Sequence, residues 1–67
     1  MTSADEWKIA GNDYYKEKNY RAAIDAYSQA ISLEPDNTNF YTNRAAAHIM
    51  ILNVREVIII SLSYIML

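Results

Sequence analysis

The sequence of 67 residues predicts an all-α fold. Three observations carry that prediction. One glycine and one proline in the whole chain leave few places for sharp turns. Apolar residues recur three and four positions apart, which is the helical period. The pattern also returns after 34 residues: Asn19 and Asn53, Arg21 and Arg55, Ile24 and Ile58, and the aromatics Trp7 and Tyr41 are each that far apart. Gly11 falls on Ala45, again a small residue. Such a period, built on a helix–turn–helix unit, marks a repeat architecture.

The first helix opens at "SADE". Ser3 with Glu6 three residues later has the form of a capping box, and Asp5 and Glu6 suit the positive end of the helix dipole. Trp7, Ala10, Gly11, Tyr14 and Tyr15 form its apolar stripe. "EKN" interrupts the pattern, and Asn19 is a cap for a second helix from about Tyr20 to Leu33, with Ala23, Ile24, Tyr27, Ala30 and Ile31 as its stripe. That helix stops at Glu34-Pro35, because the residue before proline is pushed away from helical angles. "PDNTN" is turn chemistry. A third helix is expected over roughly Asn39 to Ile51, and a fourth from about Val54, capped by Asn53 as Asn19 caps the second.

Length allows one small domain, residues 1–67. A chain of this size buries only about 60% of the surface it exposes unfolded, so it is marginal without help. With no cysteine, neither a disulfide nor a thiolate metal site supplies that help. The absence of cysteine fits a reducing compartment. The net charge of −2 argues against a nucleic-acid partner, which calls for a basic field. The start, "MTSADEWK", is polar and acidic, unlike a signal peptide.

Trp7, Ala10-Gly11, Tyr14, Ala23, Tyr27, Ala30 and Pro35 stand at the offsets of the tetratricopeptide repeat (TPR) motif, and residues 4–37 resemble one full repeat of that family. Residues 38–67 resemble a partial, divergent second repeat. "TNFYTNRAAAHIMI" matches its first helix, but Val57, Ser61 and Tyr64 stand where the family has alanine, an aromatic and alanine. The resemblance implies two antiparallel helix hairpins, the second atypical. It also implies that Gly11, Ala23 and Ala30 are small so that helices can approach closely. Glycine inside a helix costs about 0.5–1 kcal/mol relative to alanine, which such packing would offset.

Lys8 and Asn12 are four residues apart and share one helix face. With Asn43 on the third helix they resemble the carboxylate clamp of chaperone-binding TPR domains. In that family a Lys and an Asn of the first helix and an Asn of the third grip the C-terminal carboxylate of a peptide ending in Glu-Glu-Val-Asp. "GNDYYKEKNYRAAIDAYSQAI" and "YTNRAAAH" look most like the clamp domains of J-domain-type and organising co-chaperones. The implied partners are the C-terminal tails of cytosolic heat-shock chaperones, and the implied location is the cytoplasm. The family's remaining two donors, a Lys and an Arg, come from a third repeat. The chemistry agrees: Lys supplies a charged donor, each Asn amide two hydrogens and an acceptor, and charge-assisted bonds to a carboxylate are the strong kind.

Other candidates are weaker. His48, the only histidine, falls opposite Tyr14 in the repeat and is expected to pack. Asp13 and Glu17 share a face, but no histidine or cysteine joins them, so a solvated surface is expected. No Gly-rich phosphate loop, metal-ligand cluster or nucleophile–base pair is present in the sequence, so neither an enzyme nor a cofactor is expected. "VIIISLSYIML", Val57 to Leu67, carries no charge. It falls short of the roughly 20 apolar residues of a membrane span once Asn53, Arg55 and Glu56 enter the window. It reads instead as an apolar last helix covering the repeat stack, or as the altered or truncated end of a longer repeat protein. In either form residues 54–67 are a candidate for self-association.

Overall fold

Ser3 lies in extended backbone, and its Oγ accepts the Glu6 N–H at 3.2 Å while the Glu6 carboxylate reaches back to the Ser3 N–H. This capping box starts α1, Ala4–Lys16. The computed structural model describes residues 2–65, and the surroundings of the side chains at 57 and 60–65 lie outside that description. Among the described residues there are three helices and no strand: α1, α2 (Tyr20–Leu33) and α3 (Thr38–Ile65).

The turn from α1 to α2 closes both ends of the gap. Asn19 N–H bonds to the Tyr14 carbonyl at 2.9 Å and Lys18 N–H to the Tyr15 carbonyl at 3.0 Å, which satisfies the last carbonyls of α1. This is a Schellman motif, in which one residue must adopt the left-handed conformation. That residue is Lys18, with φ 64°. Asn19 then caps α2, its Oδ1 accepting the Ala22 N–H at 3.4 Å. The second turn is held by Tyr41, whose hydroxyl donates to the Pro35 carbonyl at 2.9 Å, and by Asn37, whose Oδ1 accepts the Asn39 N–H at 3.1 Å.

α2 is the centre of the packing, with α1 on one side and the first half of α3 on the other. Tyr20, Ala23, Tyr27 and Ala47 form one buried cluster; Ala4, Ala30 and Phe40 form a second, flanked by Trp7 and Ile31. Tyr27 and Phe40 are the two largest side chains fully out of solvent. Ala23, Ala30 and Ala47 are wholly buried, so the small residues do sit where helices meet.

Two expectations change. The fourth helix does not exist as a separate element: α3 runs unbroken from Thr38 to Ile65, so Asn53 lies inside a helix and caps nothing. Only the first of the two expected hairpins forms among the described residues. Positional equivalence explains why. Repeating the first turn 34 residues later would put Leu52 where Lys18 has its positive φ, and would place Ile51, half-buried in α3, in a loop. A left-handed residue with a Cβ costs roughly 1–2 kcal/mol. Lys18 meets that cost in a polar loop, between Glu17 and the capping Asn19. Leu52 also precedes an Asn but follows Ile51, so the loop would be apolar, and helix continuation past Asn53 costs only a fraction of a kcal/mol. His48 is the second change, since it is exposed rather than packed. The uncharged stretch Val57–Leu67 lies only partly within the described residues; of these, Ile58 and Ile59 are exposed.

Candidate functional site

The site is built on the contact between α1 and α2. Gly11 is buried on α1, and a Cβ there would come within 2.5 Å of Tyr27 Cε1 and 2.6 Å of Cδ1. The missing side chain is the seat for the Tyr27 ring. So seated, Tyr27 brings its hydroxyl to α1 one residue further on, where it donates to Asn12 Oδ1 at 2.6 Å. The amide oxygen of Asn12 is therefore engaged within the fold. Its Nδ2 makes no hydrogen bond among the described residues and is left as a double donor.

Asn12 and Asn43 meet across a cleft of about 240 Å³, whose walls also include Tyr15, Tyr27 and Ala46. Two of the three expected carboxylate donors are thus brought together by helices 31 positions apart in sequence, α1 and α3. Lys8 is one turn before Asn12 on α1 but is not part of the cleft wall. Its Nζ stands 3.9 Å from Asp5 Oδ1 in a solvent-exposed pair. Pairs of this kind contribute little, so Lys8 is free to turn toward an anion. Arg44, beside Asn43, is turned elsewhere: its guanidinium donates to Ser28 Oγ at 3.2 Å and lies 5.5 Å from the Tyr41 ring centre.

Burial pushes the Tyr27 phenol above its ordinary value near 10, and the neighbouring Tyr15 adds to the shift. Tyr27 therefore stays protonated and keeps donating to Asn12 across the neutral range. Tyr15, which lines the cleft, stacks edge to face with Tyr20 at 5.3 Å. The Tyr27–Asn12 bond is not among the features the sequence predicts. The signal for it was present in a buried small residue followed immediately by an amide, with an aromatic on the facing helix. Among the described residues no three His, Cys, Asp or Glu side chains are grouped to hold a metal ion.

A family model described as TPR repeat matches residues 11–50. The chain belongs to the TPR repeat family. Among its relatives, human small glutamine-rich tetratricopeptide repeat-containing protein beta is 57% identical over 44 residues, covering 66% of this chain and 14% of that protein. Human serine/threonine-protein phosphatase 5 is 50% identical over 49 residues, or 73% of this chain and 10% of the phosphatase. The DnaJ homolog subfamily C member 7 homolog of Dictyostelium discoideum is 37% identical over 62 residues, 87% of this chain and 12% of that protein. No solved structure gives a significant match. The chain spans only 10–14% of the length of these relatives, so the similarity concerns the TPR segment and not the activity of any whole protein. The TPR fold is a protein-interaction fold, and the cleft between α1 and α3 is the feature of this chain that fits that use.

Proposed function

We propose that this TPR segment is a protein-interaction module that binds acidic C-terminal peptides of heat-shock chaperones, with Lys8, Asn12 and Asn43 as carboxylate donors. The observation that supports the reading best is the Tyr27–Asn12 bond. It fixes the Asn12 amide with its oxygen inward, so the hydrogens are presented to a ligand and need no reorganisation on binding. Asn43 borders the same cleft, and Lys8 supplies a cation one helical turn before Asn12 on α1. Capture of a chain terminus is an established mode of peptide recognition. Such partners would put the protein in the cytoplasm, and no catalytic role is part of the reading.

The test is an NMR amide titration with a short peptide ending in Glu-Glu-Val-Asp, against the same peptide amidated at its C-terminus. The free acid should shift Lys8, Asn12 and Asn43, and the amide should not. Binding should weaken as salt rises, because it is charge-led. Lys8→Glu should remove it. Equal response to acid and amide would sink the carboxylate reading.

A second reading rests on a separate observation. Ile49, Leu52, Val54, Ile58 and Ile59 are all exposed along α3, which is the composition of a self-associating surface. No helix of the described residues is long and apolar enough to cross a membrane. In this reading the second half of α3 drives association between chains and the cleft holds no acidic peptide. Lys8→Glu would then leave the association untouched, and added salt would preserve or strengthen it.

A further inference from the structure

Because α3 runs unbroken, the groove between its middle and the first turn of α2 is left open. This groove, of about 520 Å³, is separate from the Asn12–Asn43 cleft. Tyr20, Met50, Ile51 and Val54 give it an apolar floor, and Lys18, Arg21 and Arg55 stand around it. The chain has six Lys and Arg in all and a net charge of −2, so half of its cations gather at one groove of an acidic molecule. No Asp or Glu lines it. The ion pair among the described residues, Lys8 with Asp5, is on another helix, so the three cations have no acidic partner. The first turn of α2 also carries no acidic side chain to offset the positive end of its dipole.

We propose that this groove is a second docking site, for an amphipathic helix of another protein that carries acidic side chains along the edges of its apolar face. The floor calls for apolar side chains and the cations for carboxylates. The walls are two helices rather than an open sheet edge, which suits a helix laid in a groove with anchors at i, i+3, i+4 and i+7. Charge of this kind acts mainly on specificity and on the rate of encounter, and the apolar floor holds the complex once formed. The site is independent of the carboxylate donors on α1 and α3.

The probe is an acetylated, amidated helical peptide with leucines at i, i+3, i+4 and i+7 flanked by glutamates. Amidation removes the terminal carboxylate, so the peptide has no means of using the other cleft's donors in their proposed role. Titration against the full chain should shift the amides of Arg21, Met50, Ile51 and Val54 and leave Asn12 and Asn43 still. The double variant Arg21→Glu/Arg55→Glu should weaken binding at least tenfold, and so should Val54→Glu, a change at an exposed position of the floor. A peptide of the same composition scrambled out of helical period, and one with lysine in place of glutamate, should both fail to bind. Equal binding by the scrambled peptide would reduce the site to unspecific charge, and equal binding by the lysine peptide would reduce it to a bare apolar patch. Shifts confined to Asn12 and Asn43 would move the interaction to the other cleft. If sedimentation shows a dimer that excludes the probe and that Val54→Glu dissolves, the occupant is a second copy of this chain. Each of those four results overturns the proposal.

Discussion

A methyl group at position 11 would lie 2.5 Å from an aromatic carbon of Tyr27, a ring that is 2% exposed and tied to Asn12 by its hydroxyl. The ring therefore has little room to retreat. Gly11→Ala would recover up to about 1 kcal/mol of helix propensity and lose about 1–3 kcal/mol to overpacking. We expect a net loss of about 1–2 kcal/mol in urea unfolding, with Asn12 released from its fixed orientation. Tyr27→Phe isolates the other half of the contact. It should cost about 1 kcal/mol at neutral pH, the worth of one hydrogen bond. Its pH dependence has a definite sign. The folded state holds the Tyr27 proton more tightly than the unfolded chain does, so this contribution is fully present below pH 10 and is lost as pH rises through the raised folded value. The gap in stability between wild type and Tyr27→Phe should therefore narrow above pH 10. A gap that stayed constant to high pH would show that burial does not hold the proton.

At the scale of elements, the first turn and its expected repeat 34 residues later were decided by single residues. Lys18 takes the left-handed position of a Schellman motif, the one positive φ of a non-glycine residue among the described residues. Glycine adopts that conformation without the Cβ penalty. Lys18→Gly should therefore stabilise the α1–α2 hairpin by about 0.5–1 kcal/mol, seen as a higher urea midpoint with an unchanged slope. The start of α1, the start and end of α2, and the turn at Pro35 were all legible in the sequence, because each rests on a local cap or a proline. The break at Asn53 was read by analogy with Asn19 and does not occur. A cap residue permits a helix start and does not compel one. What decided the matter was the residue before it, and Leu52 lacks any reason to leave the helix.

For the whole molecule, the unbroken course of α3 sets the shape. The radius of gyration is 14.7 Å and the longest dimension 53 Å. A compact domain of this length would have a radius of about 11 Å. The excess comes from the second half of α3, which extends beyond the body and exposes Leu52, Val54, Ile58 and Ile59. Covering one such side chain contributes about 1–2 kcal/mol, so a few of them suffice for association. Sedimentation of the chain should show concentration-dependent assembly, and Ile58→Glu with Ile59→Glu should abolish it without lowering the thermal stability of the dilute, unassembled chain. A drop in stability at that dilution would mean instead that these residues are covered within the single chain.

Taken alone, the sequence determined α1, α2 and the start of α3, the caps at Ser3 and Asn19, and the repeat frame, and it put Lys8 and Asn12 on one face of α1. These follow from local rules: side chains four apart share a face, and caps act within one turn. Tertiary structure alone decided three further things. It gave Gly11 its reason, by bringing Tyr27 against it. It oriented the Asn12 amide and joined it to Asn43 in one cleft while leaving Lys8 outside the wall. It also chose a continuous α3 over a second hairpin. In each case the outcome depends on which side chain arrives from a distant part of the chain, or on whether a turn has anything to pack against once formed. A one-dimensional pattern carries the first kind of information and lacks the second.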